Sequence, residues 1–226
     1  RRYDPQSFGT IFSDTLIVET GEYKDISVWE YGGFLQASKK LLQDKLRLIG
    51  SIRADKNQNY DLQWSPRLSA IYTKGNHNFR VSAQSAFRSP TLQNQYIYLN
   101  LGAIVLEGNL SGQNNAYTFQ SVSDFLDNYE ETFDIDPSLL TATTLEAVRP
   151  EQVRSFELGY RGIYQNAIYI DATAYYSAYK DFIGDYRFYK PNGDAVAGQD
   201  SGTDAILTGA YTLMQTPINS KERVNS

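Results

Sequence analysis

The chain has 226 residues, of which 21% are charged and 14% aromatic, with 18 Tyr and a formal net charge of −5. That balance excludes a polybasic nucleic-acid binder, and the absence of cysteine excludes a disulfide frame and thiolate or Cys-based zinc chemistry. No apolar run reaches the roughly 18 residues of a spanning helix, but a spanning β-strand needs only about 9–11 residues, half of which can be polar.

The start, RRYDPQSFGT, carries no secretory signal and the end, KERVNS, no strand, and we expect sequence beyond the chain. The first predicted strand is Val28–Ser38, where Trp29, Tyr31, Leu35 and Ala37 compete with Phe34 for the apolar face and Gly32–Gly33 weakens the pattern. Lys39–Lys45 is predicted as a connection. Leu46–Lys56 alternates cleanly, with Leu46, Leu48, Ile52 and Ala54 against Arg47, Ser51, Arg53 and Asp55. Asn57–Tyr60 reads as a turn. Asp61–Tyr72 is a strand in which Pro66, lacking an N–H, predicts a bulge or break. Lys74–Asn78 (KGNHN) is a tight turn, and Phe79–Arg88 alternates again.

A junction of about sixty residues follows, and a loop of that length is functional or disordered as a rule. Its Leu and Phe content predicts an ordered cap, with a helix over Asp124–Glu130 capped by Ser123. A second helix is expected to start at Asp136–Pro137, with Leu139, Leu140, Ala142 and Leu145 available to pack. After Arg149–Pro150 comes the strongest signal in the chain, two alternating runs joined at Gln165–Asn166. Phe156, Leu158, Tyr160 and Tyr164, then Ile168, Ile170, Ala172, Ala174 and Tyr176, oppose Ser155, Glu157, Arg161, Asp171 and Ser177. One greasy aromatic face and one polar charged face is the pattern of a strand between lipid and a wet lumen.

Short connections at alternate junctions and long ones between them match the asymmetry of outer-membrane barrels, whose short turns are periplasmic. A soluble β-sandwich is the rival. The expectation is an all-β, transmembrane antiparallel up-and-down β-barrel, present as a partial barrel of about six to eight strands. It divides into a meander over 28–88, an extracellular loop over 89–150, a β-hairpin over 151–190 and a second extracellular loop over 191–226. Trp64, Tyr72, Phe79, Phe87, Phe156 and Tyr164 are expected to face lipid. Arg53, Arg67, Arg80, Arg88, Arg154, Glu157 and Arg161 are expected to face the lumen, where they could touch a solute, pair with one another or meet a domain filling the barrel.

Nothing in the sequence supports catalysis. His77 is the single histidine and falls in a turn, so neither a metal site nor a catalytic base is expected. The carboxylates from Asp124 to Asp136 lack the spacing and central Gly of a calcium loop and read as a solvated face. No phosphate-cradling Gly loop and no G-x-S-x-G element is present. No cofactor is expected.

Three motifs carry a resemblance. Trp64-Ser-Pro-Arg67 lies in a strand, Ala86-Phe-Arg-Ser-Pro-Thr91 where a strand enters the long loop, and Arg149-Pro-Glu-Gln-Val-Arg-Ser-Phe-Glu-Leu-Gly-Tyr-Arg-Gly162 where the next strand returns. With Tyr175–Ile183 as the following strand, the chain from Val28 to Asp185 resembles TonB-dependent outer-membrane receptors. Those with an N-terminal carboxypeptidase-regulatory-like domain are the nearest in character. The resemblance implies a roughly 22-stranded barrel closed by a plug, energy-coupled uptake of a scarce nutrient, and no enzyme activity. The implied partners are outer-membrane lipid, TonB acting through a plug that lies outside this chain, and a surface lipoprotein lid. It implies external loops as the ligand contacts, for which Tyr96, Tyr98, Tyr117, Phe119 and Tyr129 are the candidates. A passive porin, a surface-binding component of an outer-membrane complex and a soluble carbohydrate-binding sandwich are the alternatives.

Overall fold

The computed structural model describes residues 2–3, 26–165, 167–220 and 224–225. A two-residue strand, β1 (Arg2–Tyr3), pairs with β2 (Ile26–Ser27). Four long strands follow as an antiparallel meander: β3 (Glu30–Leu41), β4 (Leu46–Asn57), β5 (Tyr60–Lys74) and β6 (His77–Arg88). The chain then leaves this sheet for β7 (Tyr98–Asn100), β8 (Val105–Glu107), β9 (Gln113–Thr118) and β10 (Ala142–Leu145). It returns as β11 (Glu151–Tyr164), which pairs with β6, and β12 (Ile168–Lys180), which pairs with β11. It leaves again for β13 (Ile183–Pro191) and β14 (Tyr211–Asn219), and β15 (Val224–Asn225) pairs with β12. The large sheet has the order β15-β12-β11-β6-β5-β4-β3 and the smaller one β10-β9-β13-β14-β8-β7.

Residues paired across strands share a face, so the registers sort the large sheet into two surfaces. Ala37, Gly50, Leu68, Ala83, Phe156 and Tyr176 form one continuous cross-strand row. Leu48, Ala70, Val81, Leu158 and Ala174 form the next, then Leu46, Tyr72, Phe79, Tyr160 and Ala172. Leu68 and Phe156 are exposed in this apolar surface, as lipid-facing side chains must be. Trp64 and Tyr72 bound it on β5, eight residues or about 26 Å apart along the strand, close to the height of a membrane barrel's apolar band before strand tilt shortens it. The opposite face carries Arg53, Asp55, Arg67, Gln84, Arg80, Glu157, Arg161 and Asp171.

Several details depart from the sequence reading. Lys39–Leu41 belong to β3. The turn is Leu42–Lys45, tightened by left-handed backbone at Leu42, Gln43 and Asp44 and by a Lys40–Asp44 ion pair of 3.3 Å. The Lys74–Asn78 turn narrows to Gly75–Asn76, with Gly75 at φ +57, and His77 opens β6. The third such turn passes through Gln165, and Asn166 lies outside the described residues. Phe34 points to the polar face, opposite Arg53. Of the two outcomes expected at Pro66, the structure shows the break and not the bulge. Pro66 pairs in register with Ile52, and the β5–β6 ladder ends beside it at Arg67–Gln84, so no partner is left waiting for the missing N–H. The register shift lies instead between Asp55 and Asn57.

The smaller sheet carries a core cluster on each face. On one side Val105, Ala116, Leu145, Phe188 and Met214 form a core. On the other, two helices cover Tyr117: α2 (Phe119–Thr132) and α3 (Asp200–Leu207), which bring in Val122, Phe125 and Ile206. The short helix α1 (Leu92–Tyr96) precedes β7 and is closed by a Thr91–Asn94 capping box. α2 starts five residues before Asp124, and its cap is Thr118, whose hydroxyl accepts from the Ser121 N–H. Packing decides this, because Val122 and Phe125, one turn apart, are both fully buried. Asp136 does cap, accepting from Ser138 at 3.0 Å, but the element is a three-residue 3₁₀ turn, Pro137–Leu139, since Leu140 must extend to feed β10. β13 is not a continuation of the β11–β12 hairpin. Asp181, at φ +57, turns the chain into the smaller sheet. The segment expected as a second long loop, 191–226, holds α3 and β14.

Candidate functional site

The turns at Leu42–Lys45, Gly75–Asn76 and Gln165 lie at one end of the large sheet, and the smaller sheet and the Gln58–Asn59 turn between β4 and β5 lie at its other end. The junction between the sheets is a network of buried polar groups. Glu151 is only 7% exposed. Its carboxylate accepts from the Arg88 guanidinium, at 2.5 and 2.7 Å, and from the Ile183 N–H at 2.7 Å. One side chain therefore holds the end of β6, the start of β11 and the start of β13. Asn219 repeats the device. Its amide donates to the carbonyls of Arg149 and Asp181, at 2.9 and 2.6 Å, and accepts from the Arg149 N–H at 2.7 Å. Asn109, fully buried, donates to the carbonyls of Glu146 and Pro217.

A cavity of about 490 Å³ opens beside this junction, where β5 and β6 diverge, lined by Glu30, Arg53, Asp55, Tyr60, Gln63 and Arg88. Arg53 pairs with Asp55 at 2.6 Å. Gln63 accepts from Gln152 at 2.9 Å. The Tyr60 hydroxyl is buried and has no hydrogen-bond partner among the described residues. Asn59, in the β4–β5 turn, donates to Gln95 and to the Tyr96 hydroxyl, both at 2.7 Å, and ties this end of the barrel sheet to α1.

Six of the seven residues expected at the lumen, Arg53, Arg67, Arg80, Arg88, Glu157 and Arg161, share the polar face. Arg80 pairs with Glu157, and Arg161 with Asp171 at 2.6 Å. The Arg67 guanidinium has no partner among the described residues. Arg154 is a correction. It stands opposite Ser85 and Ala178 on the face of Phe156, because its position has the parity of the apolar set. It sits near the strand's end, where a long cationic side chain can reach the interface.

The five candidate ligand contacts do not come together. Tyr117 is another correction, since it is 1% exposed inside the helix-covered core with its hydroxyl accepting from the Gly198 N–H at 2.7 Å. Tyr96 is tied to Asn59, and Tyr98 packs on the other core. Tyr129 meets Phe133 edge-on at 6.3 Å. Phe119 stacks on Tyr189 at 5.4 Å, and Tyr189 meets Tyr211 at 5.1 Å, a trio of which the sequence reading found one member. Burial, followed by the neighbouring Tyr211, pushes the Tyr189 hydroxyl up from its ordinary value.

Charge is sorted between the regions. Residues 89–148 hold eight carboxylates and residues 191–220 three more, and neither segment contains a Lys, Arg or His. Their formal charge of −11 leaves +6 for the rest of a chain whose total is −5. Among the described residues no group of His, Cys, Asp and Glu is placed to hold a metal, and no helix is long and apolar enough to cross a membrane.

The family described as TonB dependent receptor-like, beta-barrel matches residues 1–224. The chain belongs to that family. TonB-dependent receptors are outer-membrane transport receptors of Gram-negative bacteria, and this segment of antiparallel sheet is part of such a barrel. Two solved structures share its fold. One is the siderophore receptor PirA of Pseudomonas aeruginosa, at 16% identity and a TM-score of 0.53, over 89% of this chain and 30% of that one. The other is the siderophore receptor PirA of Acinetobacter baumannii, at 14% identity and a TM-score of 0.51, over 89% of this chain and 25% of that one. The chain thus spans less than a third of either receptor. No curated protein sequence matches it.

Proposed function

We propose that the receptor containing this segment takes up a scarce nutrient across the outer membrane with energy delivered by TonB. The observation that carries the reading is the two-faced sheet of a TonB-dependent receptor barrel joined at one end to an ordered, acidic cap. In this reading the apolar face meets outer-membrane lipid, and the face with Arg53, Arg67, Arg80, Arg88, Glu157 and Arg161 lines the lumen. Residues 89–150 and 191–226 are extracellular, and TonB acts through a plug outside this chain. Four of those arginines are held by carboxylates of the same sheet, so they brace the wall. Arg67, which has no partner among the described residues, is the group that meets the plug or a passing solute. Tyr96, Tyr98, Phe119 and Tyr129 remain the ligand contacts to test, with Tyr189 and Tyr211 added by their stacking on Phe119. A surface lipoprotein would close the site from outside. Binding and release do the work, with no covalent step.

The test is uptake by cells carrying the full-length receptor, offered ferric chelates, vitamins, oligosaccharides and peptides. Accumulation of one class that stops when the proton gradient is collapsed or TonB is deleted is the expected result. Accumulation that continues without the gradient makes the protein a passive channel. Surface binding with no accumulation makes it a binding component.

A further inference from the structure

We propose that the tip at the C-terminal end of α2 is a docking surface for a protein partner presenting an apolar pocket rimmed by Lys and Arg. Phe133 ends this helix in the left-handed region, φ +57 and ψ +20, a conformation that favours glycine and is an outlier for a bulky side chain. Phe133 is 81% exposed, the highest value of any large hydrophobic among the described residues, with one ring edge on Tyr129 at 6.3 Å, and Ile135, two residues on, is 50% exposed. An aromatic at a glycine position, turned outward, works against both the backbone and the solvent, and such an outlier points to function. The tip is nevertheless ordered. The Phe133 N–H donates to the Tyr129 carbonyl at 2.9 Å, the Thr132 hydroxyl to Asn128, and the Asp134 N–H to Thr132. Val122 and Phe125, fully buried, anchor the helix to the smaller sheet.

Charge selects the occupant. Asp127, Glu130, Glu131 and Asp134 lie within six residues of Phe133 along the chain and are exposed, and no base lies anywhere in residues 89–148 to neutralise them. An anionic lipid surface is repelled by these carboxylates, and so is the equally acidic cap of a second copy. A protein with cations bordering an apolar pocket is attracted by these carboxylates and buries Phe133 as its anchor.

The test uses the full-length receptor in its native membrane with Ile135→benzoylphenylalanine as a photo-crosslinking probe. The expected result is one protein adduct whose crosslinked peptide maps to an apolar pocket bordered by Lys or Arg. Its yield should fall at least about tenfold when Glu130→Lys, Glu131→Lys and Asp134→Lys are combined. Phe133→Gly separates docking from folding. Glycine suits the left-handed backbone, so the melting temperature should hold or rise while the adduct disappears. Crosslinking to lipid, to a second copy or to nothing discrete overturns the proposal. So does an adduct indifferent to charge reversal, or a melting temperature lowered by Phe133→Gly.

Discussion

The barrel sheet and the cap built on its end were written into the sequence in different ways. In the sheet each side chain meets one of two environments, and parity alone assigns it. From Phe79 to Arg88 and from Ser155 to Tyr176 the period of two is nearly unbroken, and the observed registers follow it. In the cap each face of the sheet carries a core cluster, so no clean alternation of buried and wet positions marks its strands. β7 and β8 have three residues each, and β9 reads QNNAYT, with Asn115 at φ +62 interrupting it. The departure of β13 from the hairpin turns on the backbone of one residue, Asp181, which no pattern of hydrophobicity announces. A region shaped by solvent contrast is legible from sequence, and one shaped by packing against itself is not.

The contrast between the two barrel faces offers the largest effect. Leu68 lies midway between Trp64 and Tyr72 on the apolar face, and Gln84 lies one strand away on the polar face. Leu68→Arg should destabilise the full-length receptor in a bilayer by about 2–4 kcal/mol, whereas Gln84→Arg, facing water, should stay within about 0.5 kcal/mol of the parent. Denaturant unfolding from lipid vesicles reads both. Equal effects would break the assignment of the faces. Arg154 shows why parity should outrank residue type in such an assignment. Its charge suggested the lumen, yet its even position places it with Phe156 and Leu158.

The junction gives the next effect. Glu151 stands in the Pro-Glu pair of the motif that carried the family resemblance, but nothing in the motif showed that its carboxylate reaches both Arg88 and the Ile183 N–H. Glu151→Ala should cost about 1–3 kcal/mol, at the lower end because the Arg88 side chain is 66% exposed and can return to water. The loss should be local. Amide protection should fall at Ile183 and along β13 while the β11–β12 ladder keeps its own. Uniform loss across both sheets would mean that barrel and cap unfold as one unit, and the distinction between them would be structural description without thermodynamic content.

The smallest effect sits in the cap, where local chemistry was readable. Asp136–Pro137 marked a helix start, and the start is there, although packing stops it after one turn. Hydrogen bonds from the Ser138 hydroxyl and the Ser138 N–H hold the Asp136 carboxyl below the ordinary carboxylate range. A carboxyl whose folded value is depressed stabilises the fold fully above its unfolded value and loses that contribution as pH falls through the folded one. Exchange of the Ser138 amide, followed from neutral pH downward and corrected for intrinsic rates, should therefore stay slow until the solution is more acidic than an ordinary aspartate's midpoint, then quicken. Asp136→Asn, which keeps an acceptor oxygen but cannot titrate, should remove the step. A step that persists in that variant would assign the transition to another carboxylate of the cap, and the cap's legible element would owe its stability to its neighbours as the rest of the cap does.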